Sequence, residues 1–418
     1  MTAISRSDDP SRCMKCGFCM SVCPVYGVDQ CESHVARGRN VLIQKQSDGT
    51  VPLSDEYREV LSLCLLCKRC EAVCPARLSP MQITRAARAQ VLEKNGLTPL
   101  QRLVNKLLLN HRSIFARSIG LIGLLPGFAS SGKKPLRHLV DTAKIFSTSF
   151  RWPSLSHPTL ANRIDPVSRK KGAHIQPEDR VAFFPGCIYE FFQADIAQDM
   201  VKAMANAGFE VTYPRELSCC GLAVHSAGDT ATAQQMAIRN IQILSQFSRI
   251  VTGCATCGSA LKAYGSWFAP ESEYHAMAMS IASRVVDFSE LLADRFENKP
   301  KQANTRMTVT FHDPCHLKQH QGVCATPRHI LKSLPGVTFV EMANADACCG
   351  LGGSFGISHL DISQAMQRKK VEAILKSGAQ VVVTSCPGCQ MYIADGLRRY
   401  NAPVRVMHIA ELMADRNQ

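Results

Sequence analysis

Two cysteine runs of identical spacing constrain this chain more than any other feature. Cys13-x2-Cys16-x2-Cys19-x3-Cys23-Pro24 is followed by Cys64-x2-Cys67-x2-Cys70-x3-Cys74-Pro75. Three thiolates two residues apart wrap one face of a [4Fe–4S] cubane, and the fourth, beside a proline, is turned toward a neighbouring cluster. The spacing predicts a crossed assignment: Cys13, Cys16, Cys19 and Cys74 for one cluster, and Cys64, Cys67, Cys70 and Cys23 for the other. Four thiolates also suit zinc. Two copies of the full run point to iron–sulfur far more specifically than a lone C-x-x-C.

A second constellation follows, carried by an internal repeat. Its first copy starts Val181-Ala-Phe-Phe-Pro-Gly-Cys187 and its second Val309-Thr-Phe-His-Asp-Pro-Cys315. Each opening is a β-rich run followed by a helical pattern (Ala194 to Ala207; Pro327 to Leu334). A second extended stretch comes next (Glu210 to Tyr213; Val337 to Val340). Then come Cys219-Cys220-Gly221 and Cys348-Cys349-Gly350, another helix (Ala231 to Phe247; Asp361 to Ser377) and a third strand (Arg249 to Thr252; Val381 to Thr384). Each copy ends on a C-x-x-C, Cys254/Cys257 or Cys386/Cys389. Such alternation predicts a parallel α/β core with ligands on loops at the C-terminal strand ends. Five cysteines per copy, Cys187, Cys219, Cys220, Cys254 and Cys257 and then Cys315, Cys348, Cys349, Cys386 and Cys389, exceed what one cubane needs. Adjacent cysteines can bridge irons of an open cluster, and the glycine after each pair permits close backbone approach.

The chain has 418 residues, too many for one core, and a net charge of +14. The expected division is 1–95 for the helical dicluster ferredoxin-like domain, 96–178 for a helical basic connector, and 179–300 and 301–418 for the two α/β modules. The fold class is α+β and α/β. From Leu100 to Arg151 nine Lys/Arg face one acid, Asp141. That stretch reads as a solvated helix face plus linker, with an anionic membrane surface or acidic partner as the alternative. Nucleic-acid binding has little support, because the stretch has few aromatics and no known motif. No run of 18 apolar residues predicts a membrane span. The N-terminus has no apolar export signal, so the expected location is the cytoplasm, or its membrane's inner face, where cysteines stay reduced.

Other candidates carry less. Cys31 and Cys324 lie outside every motif and read as buried thiols. His312, His316 and His320 surround Cys315 at four-residue intervals; they read as hydrogen-bond partners of cluster sulfurs, with metal ligation as the alternative. His225, after the first cysteine pair, reads the same way. Gly127-x4-Gly132-Lys133-Lys134 misses a phosphate loop by its last residue, and Gly350 to Gly356 lacks dinucleotide spacing. No flavin or nucleotide site is expected, and no catalytic acid–base set stands out.

At these residues the chain resembles a known family. Both repeat copies resemble the CCG domain of heterodisulfide reductase catalytic subunits. The whole order, with Arg37-Gly-Arg-Asn-Val-Leu-Ile after the first run, is similar to the iron–sulfur subunits of glycolate oxidase, D-lactate dehydrogenase and anaerobic glycerol-3-phosphate dehydrogenase. The resemblance implies two cubane [4Fe–4S] clusters in the N-terminal domain and two more, cubane or non-cubane, in the CCG modules; a zinc ion in a module is the alternative. It implies an electron relay in a membrane-associated or soluble 2-hydroxy-acid (glycolate or lactate) dehydrogenase. A flavin-containing dehydrogenase partner would supply electrons, and a quinone, cytochrome or other acceptor would take them. The alternative is a disulfide- or heterodisulfide-reducing catalytic subunit working through the CCG clusters.

Overall fold

The structure, a computed structural model, describes residues 6–103, 105, 154–172, 174–293, 295 and 306–414. Most of the basic Leu100–Arg151 stretch, with the Gly127–Lys134 segment, lies outside them.

Three helices frame the two cysteine runs: α1 (Ala36–Ser47), α2 (Asp55–Ser62) and α3 (Pro80–Asn95). Each boundary has a local cause. The Ser54 hydroxyl accepts from the Tyr57 N–H, with Asp55 and Glu56 in the first turn of α2. Pro80 opens α3, and Gly96 at φ +71° closes it. Ile83, Ala87 and Val91, four residues apart on α3, bury one stripe against Ile43, Tyr57 and Leu61. Burying Ile83, Val91, Ile43 or Leu61 contributes roughly 1.5–3 kcal/mol each.

The repeat forms two sheets. In module one the strands β1 (Val167–Ser168), β2 (Arg180–Phe183), β3 (Glu210–Thr212), β4 (Ile250–Thr252) and β5 (Val285–Asp287) lie in the order β1-β3-β2-β4-β5. In module two β6 (Met307–Phe311), β7 (Val337–Phe339), β8 (Val381–Val383) and β9 (Arg405–Met407) lie in the order β7-β6-β8-β9. All pairings are parallel except that of β1, whose Val167 faces Thr212. The sequence pattern gives three strands per copy; the structure adds β5 and β9, three residues each, and recruits β1 from the expected connector. Strands this short carry too little period to be read from sequence.

Helices α4 (Ala194–Asn206), α5 (Thr230–Leu244) and α6 (Ala255–Ala263) belong to module one, and α7 (Cys315–Gln321), α8 (Ala325–Ser333), α9 (Leu360–Lys376) and α10 (Pro387–Arg399) to module two. The modules pack reciprocally. The last helix of module two, Ile409–Ala414, lies on α4, and the last helix of module one, Phe288–Ala293, lies on α8. One continuous core runs through both sheets, from Val181 and Val251 to Val309 and Val383. Among the described residues no helix is long and apolar enough to cross a membrane.

Candidate metal centres

The N-terminal domain holds two neighbouring cavities. One is lined by Cys23, Cys64, Cys67 and Cys70 together with Arg39. The other is lined by Cys13, Cys16, Cys19 and Cys74, with Cys70 on the shared side. The fourth cysteine of each run thus joins the three of the other run. The turn before each proline produces this crossing, because Cys23 and Cys74 follow short helices (Phe18–Val22 and Arg69–Ala72) that carry them away from their own three partners.

The surroundings suit buried thiolates balanced by cations. Burial pushes the Cys67 thiol up to about 12 and Cys70 well above its usual range. Such thiols release their protons to solvent when a metal binds the sulfur. Arg39, 2 % exposed, points into the first cavity from α1. Burial opposes its charge, but Cys64, Cys23, Cys70 and Cys67 more than compensate. Arg88 on α3 donates to the carbonyls of Leu61, Ser62 and Cys64, fixing the start of the second run. Arg39 and Arg88 were not singled out from the sequence. For Arg39 a signal was available, an arginine of the Arg37-Gly-Arg-Asn stretch whose helical neighbours Ala36, Leu42 and Ile43 are apolar.

In both modules the five cysteines converge where strands end. In module one, Cys187 follows β2, Cys254 follows β4, and the thiols form one hydrogen-bonded set running Cys187, Cys219, Cys220, Cys257, Cys254. In module two, Cys348, Cys349, Cys389 and Cys386 form a similar set, with Cys349 Sγ 3.4 Å from Cys389 Sγ. Cys315 stands apart from that set. Burial raises its thiol, and the charges of Cys67, Cys349 and Cys386 add to the effect. The glycines after the pairs sit at φ +77° (Gly221) and +102° (Gly350), a region that side chains avoid. None of the twenty cysteines forms a disulfide. Cys31 and Cys324 line neither cavity and are half-buried rather than buried.

The histidines separate into different roles. His316 Nδ1 lies 3.8 Å from Cys315 Sγ. His320, stacked on His316 at 4.5 Å, donates from Nε2 to the Leu66 carbonyl (3.1 Å) and pairs through Nδ1 with the Ser259 hydroxyl (2.9 Å). Both its nitrogens are used, so it ties module one, module two and the second cysteine run together. His225 lies against Trp267, ring centroids 4.0 Å apart, and its Nδ1 accepts from Arg85 of α3 rather than meeting a sulfur. Burial, then the Arg85 charge, lowers it to about 2. His312 is 1 % exposed, and one of its ring nitrogens lies within 4.8 Å of the sulfurs of Cys349 and Cys389. Burial, then Lys370, lowers its pKa. Lys370 itself is buried beside Cys349 and Cys348 and donates to the carbonyls of Asn344 and Ala345.

The sulfur groups form a contiguous series. Cys67 is near enough that its charge adds to the pKa of Cys315 and Cys348. Around this contact Arg69 donates to the Asp346 carbonyl (2.8 Å), and Val25 and Leu63 pack on Phe355 and Met366. From module two to module one, the Thr256 hydroxyl lies 3.7 Å from Cys386 Sγ, and the Ala255 N–H donates to the Ser385 carbonyl (2.8 Å). Tyr189, fully buried between the modules, donates to Gln390 (3.2 Å) and feels the charges of both Cys254 and Cys386. The order in space is therefore the N-terminal cavities, module two, module one, which inverts the order of the modules along the chain.

Comparison with known proteins agrees with this anatomy. Residues 9–78 match the 4Fe-4S dicluster domain, and residues 181–262 and 309–394 match the CCG cysteine-rich domain. The chain is similar to a probable glycolate oxidase iron-sulfur subunit of Bacillus subtilis (strain 168), 28 % identical over 417 residues that cover 96 % of this chain and 93 % of the relative. It is 30 % identical over 408 residues to one subunit of the fumarate reductase (CoM/CoB) of Methanothermobacter marburgensis, covering 96 % of this chain and 71 % of that subunit. Lactate utilization protein A of Bacillus cytotoxicus is 27 % identical over 238 residues, 57 % of this chain and all of that protein.

Proposed function

Because this chain belongs to the CCG-domain iron–sulfur oxidoreductase subunits, we infer that it is the electron relay of a 2-hydroxy-acid dehydrogenase complex, handling glycolate or lactate electrons. A flavin-containing subunit would supply the electrons, and a quinone, cytochrome or other redox protein would take them up. Loaded [4Fe–4S] clusters supply one-electron redox chemistry. The residues that would hold them are Cys13, Cys16, Cys19 and Cys74; Cys64, Cys67, Cys70 and Cys23; Cys187, Cys219, Cys220, Cys254 and Cys257; and Cys315, Cys348, Cys349, Cys386 and Cys389.

The contiguous series from Cys67 through Cys315 and Cys348 to Cys386 and Thr256 carries this reading. A relay needs each group next to the following one, and the packed interfaces hold them so. Arg39 and Lys370 offset charge at two of the stations. Cys16, together with exposed Met14 and Phe18, gives the outermost cavity a surface edge where a redox partner can approach.

The deciding experiment is anoxic purification with bound partners, then iron and flavin assay and oxidation of lactate or glycolate. The relay reading expects iron at about 16 per chain, for four [4Fe–4S] clusters at four irons each, flavin only in the partner, and hydroxy-acid-dependent reduction of the clusters. Purification of the chain alone as a disulfide-reducing enzyme would overturn it. That second reading, a disulfide or heterodisulfide reductase, is favoured by the facing C-x-x-C loops of the two modules, joined through Ala255, Thr256, Ser385 and Cys386.

A further inference from the structure

We propose that His312 is a direct nitrogen ligand of the metal group held by module two, making that centre a mixed thiolate–imidazole site while module one remains all-thiolate. The inference rests on the iron–sulfur reading of the modules.

The tautomer is the first step. His312 Nδ1 lies 3.1 Å from the Ala345 carbonyl, which can only accept, so Nδ1 carries the proton. The ring is buried, which disfavours the doubly protonated, charged form, so Nε2 keeps its lone pair. Among the described residues no backbone or oxygen donor meets that buried Nε2, and the Cys349 thiol stands beside it. An orphaned acceptor of this kind costs roughly 1–3 kcal/mol unless something meets it.

The neighbours supply the something. A ring nitrogen of His312 and the sulfurs of Cys349 and Cys389 lie within 4.8 Å of one another, all on buried residues. In the metal-free protein a thiol proton can serve the lone pair. Once the cysteines bind metal those protons leave, and a Lewis-acidic iron is the partner that remains. An N–H on one ring nitrogen bonded to a backbone carbonyl is also how metal-bound histidines are held in orientation.

Module one provides the internal contrast. The His312 N–H donates to the Val383 carbonyl (2.9 Å), as the Phe184 N–H donates to the Val251 carbonyl (2.8 Å). The two residues therefore occupy the same register at the ends of β6 and β2, but Phe184 has no lone pair to offer. Replacing thiolate by imidazole on an iron raises its reduction potential, so module two is expected to be reduced before module one.

The test is pulsed EPR of the reduced full-length protein, grown with 14N- and then 15N-histidine. The expected result is a nitrogen coupling of directly bound strength that switches with the isotope and is lost in His312→Phe, with module two's reduction potential falling in that variant. Wild-type protein without a directly bound histidine nitrogen overturns the proposal and needs no variant to fold. A coupling that persists unchanged in His312→Phe overturns it too, as does zinc in module two by metal analysis. Absence of iron would instead overturn the iron–sulfur reading itself, and no outcome depends on turnover or on a partner subunit.

Discussion

Modules one and two share a strand order and a cysteine pattern, yet the material around their sulfurs differs at matching places. The eleventh residue of α5 is Asn240, whose side chain bonds the carbonyl of Cys219; the eleventh of α9 is Lys370, a buried cation next to Cys349. Phe184 in one corresponds to His312 in the other. Module one is sealed by Trp267, Tyr264 and His225. The N-terminal domain touches both, module one through Arg85 and Arg88 of α3 and module two through Arg69, Leu65 and Cys67 beside its sulfurs. The two modules thus keep the same cysteine ligands and differ in the electrostatics beside them. Cationic, imidazole-bearing surroundings hold electrons better than neutral ones.

The largest expected effect comes from removing one ligand in each module. If module two is the junction, Cys349→Ser should slow electron passage between the N-terminal clusters and module one by ~100-fold or more, the upper end of losses at metal sites. Cys220→Ser should leave reduction of module two intact. Rapid-freeze EPR after mixing with the reduced partner subunit reads both. Equal loss of module two reduction in both variants would mean that the order in space is not the order of transfer.

What the sequence made legible follows the same division. Ligand positions were readable because C-x2-C spacing and the Cys-Cys-Gly turn are local, and helices such as α3 declare themselves through Ile83, Ala87 and Val91. Residues joined only by tertiary packing were not. Nothing near Arg39 in the chain announces the four cysteines that surround it, and His225 looked like a sulfur partner until Arg85, 140 residues away, claimed it. Strands β5 and β9, three residues long, exist because neighbouring strands pair with them. The inverted spatial order of the modules is likewise a property of docking surfaces rather than of any motif.

A smaller effect should separate the two glycines that follow the cysteine pairs. A Cβ at Gly350 would stand 2.5 Å from the Ser363 carbonyl oxygen, a backbone atom that cannot yield; at Gly221 its nearest neighbour is the Trp267 ring at 3.3 Å. Both substitutions force a left-handed residue, worth about 1–2 kcal/mol. Gly350→Ala adds overpacking of about 1–3 kcal/mol, and Gly221→Ala adds little. Denaturant unfolding of the full chain should therefore rank Gly350→Ala clearly below Gly221→Ala in stability. The reverse ranking would mean that module one, not module two, has the tighter turn.

The smallest effect concerns a charge that only module one carries. At the end of β5 stands Asp287, whose N–H donates to Glu290; the matching residue of module two is His408, just past β9, whose N–H donates to Glu411. Asp287 is 1 % exposed; its Oδ1 accepts from the Ser289 N–H (2.8 Å) and hydroxyl (2.5 Å), but Oδ2 has no hydrogen-bond partner. Burial, outweighing the bonds from Ser289, pushes its pKa from 3.8 up to about 6. A carboxyl with a raised folded-state pKa binds its proton more tightly folded than unfolded, so its contribution to stability is full below about 3.8 and is lost as pH rises through about 6. Between about pH 5 and about pH 7 this single group should lower the unfolding free energy by about 1 kcal/mol. Asp287→Asn removes the titration whatever the new amide does to absolute stability. Urea unfolding of wild type and variant at the two pH values should therefore give curves whose difference changes by about 1 kcal/mol. An unchanged difference would mean that solvent reaches Oδ2, and that module one tolerates its extra acid by hydration rather than by holding a proton.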